Sequence, residues 1–141
     1  VVEIRPYRGA DGPAVVALWK RCGLVVAWND PQADIVRKLR VAPELFLVAV
    51  EDGRLIGTAM GGYDGHRGSL NYLAVDHNRR RRGIGSCLIE AVCERLLERD
   101  CAKLNIMVRT DNRDVIAFYE KLGFKTDDVV CMGHRLLSDE T

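Results

Sequence analysis

The stretch "YLAVDHNRRRRGIGSCLIEAV", residues 72–92, decides the fold. It reads as a strand, a short basic loop and a helix. Apolar residues at 84, 88, 91, 92 and 96 recur at helical spacing, so a helix is predicted from about Gly83 to Arg99. The first turn of any helix leaves backbone N–H groups without internal partners, and the macrodipole adds partial positive charge there. Glycine at 83 and 85 removes side chains that would block the backbone and permits unusual dihedrals. Together these features make a cradle for an anion such as a pyrophosphate. Neither the GxxxxGK[ST] phosphate loop nor the GxGxxG dinucleotide fingerprint is present. A bare RxxGxG equally suits a glycine-assisted loop with solvated arginines.

Working outward, "VVEIRPY" (1–7) alternates and reads as a strand, and 10–23 as a helix with Asp11 at its N-cap, Pro13 in its first turn and Gly23 as its stop. Residues 25–30 read as a loop, and Asp30 and Pro31 open a second helix over 31–41. "ELFLVAVED" and "RLIGTAMGGYDG" are two strands joined at Asp52-Gly53, a strong hairpin signal. Residues 69–77 form the next strand and 103–110 another, a helix spans 112–123 and closes at Gly123, and 124–137 supply one or two final strands. The expected architecture is α/β: a mixed, mostly antiparallel sheet of six or seven strands flanked by about four helices. Residues 1–141 are expected to form one domain, without repeat, linker or low-complexity segment.

The totals narrow the function classes. The 21 basic and 20 acidic residues give a net charge of +1, which argues against nucleic acid as the partner of the arginine run, since dedicated binders carry a large basic excess. The five cysteines are odd in number, lack metal-ligand spacing and mostly sit among apolar residues; they read as small buried hydrophobes in a reducing cytoplasm, with no metal expected. No apolar run approaches the roughly 20 residues of a membrane span, and no signal peptide is visible. The chain starts at Val1, which fits a trimmed N-terminus.

"LAVDHNRRRRGIGSCLI" (73–89) followed by "NRDVIAFYEKLGF" (112–124) resembles the GNAT superfamily of acetyl-CoA-dependent N-acetyltransferases. That family's [RQ]xxGx[GA] pattern is met by Arg80, Gly83 and Gly85, and its downstream helix by Asn112, Tyr119, Gly123 and Phe124. The resemblance implies that strands four and five splay apart, with a bulge in the fourth, and that acetyl-CoA lies in the gap. The pantetheine arm would pair with the backbone of Leu73, Ala74 and Val75, as an added strand does at an exposed edge. The pyrophosphate would meet Arg80, Arg81, Arg82, Gly83, Ile84, Gly85 and Ser86, and Asn112 would add a cofactor contact. Tyr119 would act as general acid toward the departing thiolate. In plainer readings, Leu73 and Val75 pack the core, Asn112 caps a helix and Tyr119 is a buried aromatic.

The implied reaction is direct attack of a primary amine on the thioester, with acetyl-CoA as co-substrate and no metal. The amine must first lose a proton. Acetyltransferases of ribosomal-protein N-termini often carry Glu five residues before the motif asparagine; here Met107 stands there and takes no proton. On the acceptor side, Asp64 and His66 in "GGYDGHRGS" and Trp28 in "AWNDP" are candidates, although a solvated turn and a packed anchor explain them as well. His134 reads as structural. The acceptor, small molecule or protein, is not legible, and the resemblance allows a homodimer. Two rivals stand beside the enzyme: a non-catalytic acyl-CoA sensor, favoured by the missing base, and an RNA-binding domain, which lacks an aromatic stacking platform.

Overall fold

The computed structural model describes residues 1–138. Five strands make one sheet in the order β1 (Val2–Pro6), β2 (Phe46–Glu51), β3 (Arg54–Tyr63), β4 (Gly68–Val75) and β5 (Leu104–Asn105). The first four are antiparallel neighbours, and β4 pairs parallel with β5. Four α-helices accompany them: α1 (Gly12–Arg21), α2 (Pro31–Lys38), α3 (Ile84–Leu97) and α4 (Arg113–Lys121).

Alternation on the central strands builds two cores. Leu47 and Ala49 of β2 point into a cluster with Leu88, Val92 and Leu96 of α3 and Tyr119 of α4. Phe46 and Val48 point the other way, onto Val15, Leu18 and Trp19 of α1 and Ile35 of α2. A strand buried on both faces reads as a continuous apolar run, as "FLVAV" does. Helix α3 lies close to β3, because a Cβ on Gly61 would come within 2.9 Å of a Val92 methyl and 3.1 Å of the Leu45 carbonyl oxygen.

Strand β4 carries the irregularity that matters. Thr58 and Met60 of β3 face Ala74 and Asn71 of β4, so β4 spends one residue more than its partner over this span. Tyr72 takes φ 50° there. The bulge reverses the alternation: Leu70 packs in the α3 cluster, whereas Tyr72 and Ala74 join the α1 cluster and Leu73 returns to the first. Three side chains fix the bulge. Fully buried Thr58 accepts from the Trp19 Nε1–H at 2.9 Å and donates its own hydroxyl to the Tyr72 carbonyl at 2.8 Å. The Trp19 and Tyr72 rings stack with centroids 3.7 Å apart.

Capping follows the sequence in part. The Asp30 carboxylate accepts from the Gln32 and Ala33 amides, opening α2 as expected. Asp11 does not cap α1 through its side chain; its carboxylate takes Arg5 at 2.8 and 3.0 Å and the Arg8 amide at 2.8 Å. Arg5 and the Arg8 amide hold Asp11 below the usual carboxylate range against the opposing effect of burial.

The sheet is smaller than expected. The strand read over 103–110 pairs only at Leu104 and Asn105, with Gly68 and Ser69. Ile106 and Val108 still pack against the core, so the alternation was right about facing but the ladder stops where β4 and β5 part. The one or two strands expected over 124–137 do not form, and six or seven strands become five among the described residues. With β5 two residues long, that segment has no extended neighbour to pair with, and Val129, Val130, Met132, Leu136 and Leu137 are exposed. No helix among the described residues is long and apolar enough to cross a membrane.

Replacing Thr58 by the near-isosteric valine leaves the Trp19 N–H and the Tyr72 carbonyl without their partner. We expect a loss of about 1–3 kcal/mol in denaturant-induced unfolding, the cost of buried unsatisfied polar groups; an unchanged unfolding midpoint would show that the bulge holds without this hydroxyl.

Candidate functional site

The loop between β4 and α3 leaves its backbone amides open. Arg81 (φ 68°) and Gly83 (φ 77°) both adopt left-handed backbone, which only glycine enters without strain. Gly83 is the N-cap of α3 and provides no side-chain cap; the first main-chain bond of the helix is from the Cys87 amide to the Gly83 carbonyl at 3.0 Å. The amides of residues 81–86 find no acceptor among the described residues. Six consecutive donors without an internal acceptor therefore lie at the positive end of a 14-residue helix.

The arginines are largely committed to holding this loop. Arg82 makes a two-pronged contact with the Glu51 carboxylate, at 3.0 and 2.5 Å, and Arg79 reaches the same carboxylate at 3.4 Å. Arg80 donates to the Val75 carbonyl at 3.2 Å and reaches Cys22 Sγ. Three of the four guanidinium groups are thus engaged by the protein, and the run is not an unoccupied basic face. The hydrogen bond and charge of Arg82 hold the Glu51 carboxyl at about 2 instead of 4.5, with Arg79 adding to the effect.

Beyond Ser69, β4 runs on through Leu73, Ala74 and Val75 without a β5 partner. Phe118 of α4 approaches the first turn of α3, 3.4 Å from where a Cβ on Gly85 would lie. Next to it, Tyr119 is 8% exposed and meets Phe118 and Phe124 edge-on at 5.3 and 5.4 Å. Its hydroxyl has no hydrogen-bond partner among the described residues, and burial pushes its pKa up to about 12. Asn112 accepts from the Val115 amide at 3.4 Å, so it does cap α4.

On the other side of the bulge lies an open cleft of about 900 Å³ between α2 and the ends of β3 and β4. Leu73 and Tyr72 form part of its wall, which ties it to the gap beside β4. Asp64 lines it, but its carboxylate closes its own turn by accepting from the His66 and Arg67 amides, each at 2.7 Å. Trp28 and His66, the other two acceptor-side candidates, are not among the lining residues. The Trp28 carbonyl instead accepts from Arg135 at 3.1 Å. The residues that sequence reasoning missed are Asp34, Lys38, Tyr72 and Arg109. The Tyr72 hydroxyl donates to Asp34 at 2.5 Å, across 38 residues of chain. The only sequence signal was the polar set 34, 37 and 38 on one face of α2, which a solvated face explains equally well. Among the described residues no cluster of three or more His, Cys, Asp or Glu is placed to hold a metal ion.

The Glu51 clamp has a pH signature. A carboxylate held below its unfolded value stabilises the fold above that value, and the contribution fades as pH falls from 4.5 toward 2. We expect Glu51→Gln to unfold at a lower temperature than the parent chain above about pH 5, with the two converging toward pH 2. A difference that stays constant down to pH 2 would dissociate Glu51 from the arginines.

Comparison with known proteins closes the question of family. The model of the acetyltransferase (GNAT) family matches residues 12–124. An acetyltransferase of Yersinia enterocolitica is 50% identical over 99% of both chains. Another from Pectobacterium atrosepticum is 50% identical over 98% of both. Among solved structures, Ard1 from Thermoplasma volcanium is 29% identical with a TM-score of 0.74, covering 88% of this chain and 82% of that one. The fold is also that of AAC(6')-Iy, solved with a bisubstrate analogue built on CoA; it is 20% identical with a TM-score of 0.79 and covers 97% and 99% of the two chains. Matched by the family model over residues 12–124 and half identical to these relatives, this chain belongs to the GNAT family and is an acyltransferase.

Proposed function

We propose that this acyltransferase moves the acetyl group of acetyl-CoA onto a primary amine by direct attack, with Tyr119 as general acid. The observation that carries the reading is the row of unpartnered amides over residues 81–86. Those donors, together with the positive end of α3, suit a diphosphate, and the left-handed Gly83 keeps side-chain atoms out of its way. Arg81 and Ser86 belong to the same turn. Arg80 and Arg82 serve the site by holding the loop's shape through Val75 and Glu51. The edge of β4 at Leu73, Ala74 and Val75 suits an extended chain carrying amide groups.

The chemistry follows from where the bulge leaves Leu73, between the β4 gap and the cleft. A neutral amine entering from the cleft adds to the thioester carbonyl carbon, forming the new N–C bond, and the tetrahedral intermediate then breaks its C–S bond and expels the thiolate. A backbone amide at the bulge can stabilise the oxyanion that develops between these steps. The nitrogen sheds a proton to solvent, and Tyr119 hydrogen-bonds and protonates the departing sulfur. A phenol at about 12 is fully protonated at neutral pH, so it is always armed as a donor. Burial that raises the phenol raises a thiolate beside it too, which keeps the two within reach of proton transfer. Asn112 keeps the N-terminus of α4 ordered, and with it the helix that presents Tyr119. Met107 is 75% exposed and receives the Cys131 thiol at 3.3 Å, so it contributes no base.

Tyr119→Phe is expected to lower kcat by roughly 10²-fold or more while leaving acetyl-CoA affinity within about twofold, as measured by thiol release and calorimetry; equal turnover would remove the tyrosine from the mechanism. Gly83→Asp strains the left-handed turn and sets a carboxylate in the cradle, so acetyl-CoA binding should vanish in the same titration. Retained affinity would refute the cradle.

A further inference from the structure

Among the described residues, the charge lining the acceptor cleft is uneven, and the surplus is positive. Arg37, Lys38, Arg67 and Arg109 line it against two carboxylates, Asp34 and Asp64. Both carboxylates are spent. Asp64 is bound by two amides of its own turn, and Asp34 accepts the Tyr72 hydroxyl and lies 3.5 Å from Arg37. Neither Lys38 nor Arg109 has a side-chain hydrogen bond or ion pair with a described residue. Lys38 is half-buried and lines the cleft. Its Nζ lies 3.7 Å from where a Cβ on Gly62 would sit, and Ser69 Oγ lies 2.7 Å from the same point. Bare Gly62 is what lets the Ser69 hydroxyl and the Lys38 ammonium both lie close to this point of β3. The acid whose charge reaches Lys38, Glu44, is already bound by Arg99, so a partly buried ammonium here gains when a ligand supplies a carboxylate.

Resting on the acetyl-transfer reading above, we propose that the acceptor is an amine that also carries a carboxylate, and that Lys38 and Arg109 bind that carboxylate. Arg109 offers a planar fork and Lys38 a point charge, a pairing suited to fixing one carboxylate in one orientation. A polycation, such as a polyamine or an aminoglycoside, meets like charge here and is disfavoured. A free amino acid and a peptide whose first residue is acidic offer the same chemistry.

The test is acetyl-CoA-dependent thiol release by the full chain with matched acceptors: aspartate and glutamate, their side-chain amides, the corresponding decarboxylated amines, an acidic N-terminal peptide, spermidine and kanamycin. Acidic acceptors are expected to exceed the decarboxylated amines and polycations in kcat/KM by about 10- to 100-fold, the effect of one or two charge-assisted hydrogen bonds. The ranking of free acid against peptide identifies the source. Lys38→Met and Arg109→Met should each raise KM for the acidic acceptor about tenfold without altering the acetyl-CoA KM, and Lys38→Arg should restore most of the loss. Preference for spermidine, kanamycin or the decarboxylated amines would overturn the inference and leave acetyl transfer standing. So would an unchanged acceptor KM in folded Lys38→Met and Arg109→Met. Binding of acetyl-CoA with no acetylation of any of these acceptors would overturn both readings.

Discussion

A single hydroxyl, that of Thr58, holds the working part of this molecule in shape. It receives the Trp19 indole N–H and gives its proton to the Tyr72 carbonyl, in a place sealed from water. Such a buried polar link is worth little as net stabilisation but a great deal as a constraint, because every alternative leaves a donor or acceptor unmet. What it constrains is the extra residue in β4. The bulge turns the Tyr72 ring onto Trp19 and toward Asp34, and turns Leu73 back to the opposite face. One side of β4 thereby lines the cleft while its edge beyond Ser69 stays unpaired with β5.

A second constraint acts on the loop that follows. Arg81 and Gly83 both hold positive φ, a shape that backbone preference alone does not maintain at a non-glycine residue. The Glu51 carboxylate, gripped by Arg79 and Arg82, ties the loop to the end of β2. The arginine run thus serves chiefly as internal scaffolding. Its charge remains part of the local field, which favours an anion at the helix terminus.

Both constraints join distant parts of the chain, and they share a physical logic. Catalysis by positioning needs groups held within fractions of an ångström, and a strand bulge or a left-handed turn is stable only when its surroundings over-determine it. The sheet provides that through α1 on one face and α3 on the other. Gly61 lets α3 approach closely, and the stacked Tyr7, Phe46, Trp19 and Tyr72 rings fill the α1 side.

Sequence alone determined what depends on near neighbours in the chain. The period of 84, 88, 91, 92 and 96 named α3, Asp30 named the start of α2, Asp52-Gly53 named the β2–β3 turn, and the glycines at 83 and 85 with Asn112 and Tyr119 named the family. Each is a local pattern of side-chain spacing or backbone permission. Where pairing with a remote partner decided the outcome, the pattern misled: 124–137 has strand-like residues but no extended neighbour, and 103–110 alternates correctly yet bonds only at Leu104 and Asn105. Only the tertiary structure brought Tyr72 to Asp34, Glu51 to Arg82 and Lys38 over Gly62. Those meetings join residues far apart in the chain, and an acidic or basic side chain seen in sequence has no partner until the fold supplies one.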